Sequence, residues 1–226
     1  MNYSDPVKKL LSYGDCRNFK KWPDYLKLGF NQEHIPELVE LARDISLILS
    51  DYEELENWAP VHAWRVLGQL KAKEATEPLM NLFHEHEDND WVDDELPTVF
   101  AMIGASTLPS LARYLADTSH DVSPRITAAC CMNEVGKSNK EVQENCIALL
   151  TLQLEKYENN PSELNAFLIW FLTDFKALDS FPSIKEAYKR ECVDETIIGG
   201  LATIEYELGL TDKPPQVQLF AEESGE

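Results

Sequence analysis

No stretch of this chain approaches the roughly 18–20 consecutive apolar residues that a membrane-spanning helix needs. Its opening, MNYSDPVKKLLSYGD, has neither a long apolar run nor a small-residue cleavage site, so a secretory leader is not expected and the chain is placed in the cytoplasm. Cysteine is sparse and unpatterned. Cys16, Cys130, Cys131, Cys146 and Cys192 are odd in number and form no C-x-x-C pair, which argues against a disulfide framework. They are expected as reduced thiols, with the adjacent Cys130 and Cys131 diverging from a helix into ordinary packing. The common catalytic signatures are missing too: there is no G-x-S-x-G, P-loop, H-E-x-x-H or Rossmann glycine run. Strand-type alternation of β-branched residues is nearly absent.

Positive charge is the other deficit. With 40 acidic and 20 basic residues the formal net charge is −20, which repels phosphate backbones and anionic lipid and argues against nucleic-acid or membrane partners. The deficit is concentrated. No Lys or Arg occurs from 74 to 112, where Glu74, Glu77, Glu85, Glu87, Asp88, Asp90, Asp93, Asp94 and Glu95 all fall. Residues 1–30 lean the other way, with Lys8, Lys9, Arg17, Lys20, Lys21 and Lys27 against Asp5, Asp15 and Asp24.

What is present is a 3.6-residue apolar period over most of the chain, and it predicts an all-α protein. Helices are expected over about 4–13, 33–49, 58–71, 74–86, 91–103, 107–117, 122–137, 140–157, 162–177, 181–191 and 194–208. The tail 211–226, TDKPPQVQLFAEESGE, with its proline pair and acidic end, is expected to be extended or disordered. Several helices come in similar pairs. WAPVHAWRVLGQLKAKEATEPLMNLF carries Trp64, Leu67 and Leu70 before a joint and Ala75, Leu79 and Leu82 after it. ELPTVFAMIGASTLPSLARYLAD does the same with Phe100 and Ile103, then Leu108, Leu111 and Leu115. A third unit turns at Val135-Gly136 and a fourth near Phe175. A single helical hairpin cannot bury both of its apolar faces, whereas stacked hairpins share one long core. Glycine at the joints Gly68, Gly104 and Gly136 suits a left-handed turn closing the first helix of each pair.

The segments AWRVLGQLKAKEATEPL and FAMIGASTLPSLARYL resemble HEAT repeats, in particular the short bacterial kind also found in phycobilisome chromophore lyases. The order DYLKLGFNQEHIPELVELARD, then the Trp58 unit, then DWVDDELPTVFAMIG is similar to a group of bacterial HEAT-like proteins. A tetratricopeptide reading matches Trp64-x-x-Leu67-Gly68 and then fails, because the small residue due about sixteen places on is Met80. The resemblance spans about 57–208 and implies a right-handed α-α superhelix of four or five hairpins. The expected organisation is one solenoid domain over 1–210, with a helical cap over about 1–50. Some relatives carry a C-terminal SEC-C-type metal-binding segment; nothing like its cysteine and histidine cluster follows Cys192, so no metal is carried over.

The one stretch that looks like a metal site is NLFHEHEDNDWVDDELP. His84 and His86 would supply two ligands only on irregular backbone, since residues two apart on a helix point to different sides. The aspartates lack the twelve-residue calcium-loop order with its central glycine. The same residues serve as helix ends. His84 and His86 close one helix, Asp90 caps the next, and Asp93, Asp94 and Glu95 occupy its first turn. His62 and Arg65 lie near each other on the Trp58 helix, and His34 and His120 near helix ends, but nothing in the sequence supplies an orienting partner or a pocket for catalysis. The expectation is a non-catalytic protein-binding or scaffold module without cofactor or metal. It would meet a basic protein partner through Glu85, Glu87, Asp88, Asp90, Trp91, Asp93 and Asp94. The alternative is a small-ligand or metal-dependent enzyme, or a chromophore-lyase-like activity, on the same scaffold, with Trp58, Trp64, Trp91, Trp170 and Phe171 as the aromatics that could line a cavity.

Overall fold

The apolar period becomes helix almost wherever it occurs. The computed structural model describes residues 3–48, 54–86 and 89–214, and among them no strand is present. Glu87, Asp88 and the tail from 215 onward lie outside the described residues. No single helix among those described is long and apolar enough to cross a membrane. The chain gathers into two compact units, Met1–Gln153 and Leu154–Glu226.

The first unit opens not with the continuous helix expected over 4–13 but with short 3-10 turns, Val7–Ser12, Cys16–Asn18 and Tyr25–Leu28. Pro6, Gly14, Pro23 and Gly29 explain the break-up, because each stops a helix before propagation offsets nucleation. The turns still bury Val7, Leu10, Cys16 and Tyr25. Regular helices follow: α1 (Ile35–Ala42), α2 (Ile45–Ile48), α3 (Ala59–Gln69), α4 (Thr76–Met80), α5 (Leu82–Glu85), α6 (Asp90–Ile103), α7 (Leu108–Ala116), α8 (Val122–Ser138) and α9 (Gln143–Leu154). In α1, α3 and α7 a proline sits in the first turn, where its missing N–H costs nothing.

Helices α1, α3, α6 and α8 pack side by side in chain order, and α7 packs against both α8 and α4. The seams are filled by Leu38, Leu41, Trp64, Leu67, Leu79, Leu96, Phe100 and Leu111, all completely buried. Each such leucine contributes about 1.5–3 kcal/mol relative to exposure, so the stacking is held by ordinary apolar burial. Trp64 places its one polar atom where a partner waits, donating from Nε1 to the Ala42 carbonyl at 2.8 Å.

The joints between paired helices differ from the glycine expectation. After α3 the left-handed residue is Lys71, with φ 53°; its N–H donates to the Gly68 carbonyl and that of Ala72 to the Leu67 carbonyl, the double bond of a Schellman close. Gly68 itself is helical. A Cβ there would stand 3.4 Å from Val99 Cα and from Met102 Sδ, so this glycine serves the approach of α3 to α6. Gly104 does take the positive-φ position, at φ 93° and ψ −156°. Gly136 lies inside α8.

The second unit contains α10 (Ser162–Asp174), α11 (Phe181–Lys189), α12 (Glu195–Ile198) and α13 (Leu201–Glu207). Its first joint repeats that of α3. Lys176 is left-handed at φ 56°, with Lys176 N–H donating to Thr173 and Ala177 N–H to Leu172, followed by the 3-10 turn Leu178–Ser180. Thus Leu70-Lys71-Ala72 and Phe175-Lys176-Ala177 adopt one geometry 105 positions apart. The buried amide of Asn165 fastens the unit internally, donating to the Tyr157 and Cys192 carbonyls and accepting from Asn160.

Candidate functional site

The acidic segment lies where α5 ends and α6 begins. Its cap is Asn89, whose side chain accepts from the Trp91 N–H at 3.0 Å, so Asp90 is the first helical residue and not the cap. The extended backbone of Asn89, one place earlier than expected, brings its amide oxygen onto the free N–H of the second helical residue. Of the residues expected to meet a partner, Glu85 is held by Arg43 through both carboxylate oxygens, at 3.0 and 3.1 Å. Asp93 accepts from the Thr127 hydroxyl at 2.6 Å, and burial, reinforced by Asp94 and Asp90, raises its pKa. Trp91 is half-buried, edge-on to Trp58 at 4.9 Å. Asp90 and Asp94 remain exposed on the first turns of α6. Glu87 and Asp88 are outside the described residues.

The acid-only window is not acid-only in space. Glu77 pairs with Arg113, and Glu95 is buried against Arg65, which donates from Nε at 2.8 Å and from Nη2 at 2.5 Å. These two cations, like Arg43 on Glu85, come from outside 74–112, a match that no local spacing could reveal.

His84 and His86 part company. His86 is buried, burial lowers its pKa, and neither of its ring nitrogens has a hydrogen-bond partner among the described residues. His84 is exposed at the end of α5, its Nδ1 at 2.9 Å from the Tyr114 hydroxyl. Its neighbour is His120, from the loop between α7 and α8, with ring centroids 4.9 Å apart. His120 stacks on Tyr114 at 4.0 Å. No group of three or more His, Cys, Asp or Glu side chains among the described residues is arranged to hold a metal ion.

His62 and Arg65, noticed in the sequence only as neighbours, turn out to anchor a buried polar cluster. The Tyr25 hydroxyl donates to His62 Nδ1 at 2.5 Å, and His62 Nε2 donates to the Gly14 carbonyl at 2.8 Å, which fixes the neutral tautomer. Cys16 Sγ lies 3.4 Å from Nε2, and Tyr13, Phe19 and Tyr25 surround the ring edge-on. The Arg65 guanidinium rests 5.0 Å from the Trp22 ring. Burial drives His62 down to about 4 and the Cys16 thiol up to about 12, so a thiolate–imidazolium pair does not form. The cluster fastens the segment 13–25 to α3. Tyr13, Tyr25 and Cys16 gave no signal in the sequence because none lies near His62 along the chain.

A groove of about 290 Å³ runs along the ends of α3, α6 and α8, floored by Gly68, Ala101 and Met102 and edged by Gln69, Lys71, Thr98 and Ser138. No protein-family model, curated protein or solved structure matches this chain.

Proposed function

We propose that the chain is a HEAT-like, right-handed α-solenoid of four or five hairpins and acts in the cytoplasm as a non-catalytic protein-binding or scaffold module. The observation that carries this reading is the stacking of α1, α3, α6 and α8 in chain order, with the same Schellman joint recurring after α3 and α10. The side chains with catalytic potential support it as well. His62, Tyr25, Arg65 and Glu95 spend hydrogen-bonding capacity on one another in the core.

The partner this reading favours is a basic protein, and among the described residues the contact set narrows to Asp90 and Asp94, with Trp91 beside them. Glu85 and Asp93 already have partners within the chain. Long-range attraction from these two charges and from the net −20 would accelerate association more than it deepens affinity. Affinity capture from lysate at about 0.05 M and about 0.5 M salt tests the proposal. A basic protein should be retained at low salt, released at high salt and lost with Asp90→Lys/Asp94→Lys. Capture that ignores both salt and charge reversal refutes the acidic contact.

One observation favours the small-ligand alternative. The groove at the ends of α3, α6 and α8 has a volume at the lower limit of ligand pockets. Native mass spectrometry of protein purified from cells decides this: a co-purifying small molecule lost with Ala101→Trp would favour it over the scaffold reading.

A further inference from the structure

The two imidazoles that the fold brings together are His84 and His120, not His84 and His86. We propose that His84 and His120 form a binding site for a divalent cation of the zinc, nickel or copper class, tying the end of α5 to the loop between α7 and α8. The inference is independent of the protein-binding reading.

Geometry carries it. A metal bonded to a ring nitrogen at about 2.0–2.1 Å stands roughly 3.2 Å from that ring's centroid, so two imidazoles sharing one ion at roughly 90–109° have centroids ~4.5–5.2 Å apart. The observed separation is 4.9 Å. The ring planes differ by 28°, and Tyr114 lies 4.0 Å from His120 and 6.0 Å from His84. Seen from His120, these distances set His84 close to a right angle from Tyr114. Because Tyr114 covers a face of His120, His84 lies beside that ring and not above it. Rings placed beside each other at this distance need only rotate about their side-chain bonds to turn one nitrogen of each toward a shared ion. The flanking groups are suited to the task. The Tyr114 hydroxyl engages His84 Nδ1, which leaves Nε2 for the ion, in the way an outer partner orients a ligating histidine. The Tyr114 ring holds His120 in place by stacking. The Asp117 carboxylate, 4.0 Å from His120 Nε2, adds negative charge beside the ion without completing a three-ligand set.

Two protein ligands leave the remaining positions to water, so binding in the micromolar range is expected, far weaker than at a four-ligand structural zinc. Imidazole selects zinc, nickel and copper over magnesium. The test is calorimetric titration of the full chain with zinc chloride and nickel chloride, and thermal unfolding at the same concentrations, with magnesium chloride alongside. The expected result is one saturable equivalent and a raised unfolding midpoint with zinc and nickel but not magnesium. His84→Ala and His120→Ala should each weaken binding at least tenfold, while His34→Ala leaves it unchanged. His84 is exposed, so its variant keeps the fold, and far-ultraviolet circular dichroism verifies this for both. Cobalt absorption adds a ligand-specific readout: ligand-field bands without thiolate charge-transfer support the site, whereas thiolate bands assign the ion to cysteine and overturn it. Absence of saturable binding below millimolar zinc, equal stabilisation by magnesium, or undiminished binding by the double variant also overturns it.

Discussion

His62 shows how far surroundings can move a residue from its ordinary behaviour. It has no solvent exposure, its two nitrogens are engaged by Tyr25 and Gly14, and protonation would place a positive charge in the core with Arg65 nearby. Its pKa falls from 6.5 to about 4, chiefly through burial. The sign follows. The unfolded chain takes up the proton first on acidification, so the contribution of neutral His62 is complete above 6.5 and is lost as pH falls toward about 4. The slope is at most about 1.4 kcal/mol per pH unit, and the whole window amounts to ~3 kcal/mol. Urea unfolding of the parent chain and of His62→Gln at about pH 7, 6 and 5 isolates it, because His86, also lowered, contributes equally to both. The stability difference between the two proteins should shrink steadily with acidification. A difference that is constant with pH would mean His62 is already charged or not linked to folding. The buried Arg65–Glu95 pair is a different case, since its value lies in not leaving either charge alone: removing one partner of such a pair typically costs ~3–5 kcal/mol.

At the scale of elements, the positions of the helices are legible in the sequence, and the residue that turns each joint is not. The helices expected over 91–103, 107–117, 122–137 and 162–177 appear within a few residues as α6, α7, α8 and α10. Their apolar faces are regular, and periodicity reports faces well. At the joints, Gly68 drew attention where the left-handed turn is made by Lys71, three residues later, because close packing of α3 on α6 also selects glycine. Lysine in the left-handed region carries a steric cost that glycine avoids, so Lys71→Gly should stabilise the fold by ~0.5–1 kcal/mol. Lys176→Gly should gain less, since Lys176 Nζ donates to the Glu207 carbonyl at 2.5 Å. Gly104 is the converse. Its φ 93°, ψ −156° belongs to a region essentially closed to side chains, and Gly104→Ala should cost ~1–3 kcal/mol although nothing crowds the position. Guanidinium unfolding curves for the three variants check the order; a destabilised Lys71→Gly would mean its side chain does more than turn the chain.

For the molecule as a whole, the one-dimensional reading of charge misled most about the site. From 74 to 112 the chain has no Lys or Arg, yet Arg43, Arg65 and Arg113 reach Glu85, Glu95 and Glu77 from 30 to 42 positions away. Pairing at such separations is a property of which helices stack, and no window of sequence contains it. What this pairing leaves is still a large imbalance. A net charge of −20 on a folded chain costs self-repulsion that unfolding relieves, and salt screens it. Salt also weakens exposed ion pairs such as Arg113–Glu77, but pairs of that kind contribute only about 0–1 kcal/mol each. The buried Arg65–Glu95 pair is screened little. The net repulsion therefore wins, and raising sodium chloride from about 0.01 M to about 0.15 M, which shortens the screening length from ~30 Å to ~8 Å, should raise the thermal midpoint by several degrees. Potassium chloride should act identically, because the effect depends on ionic strength and not on a particular ion. A midpoint that falls with salt would mean that the ion pairs outweigh the repulsion and that the negative surface is balanced more locally than the ion pairs described here imply.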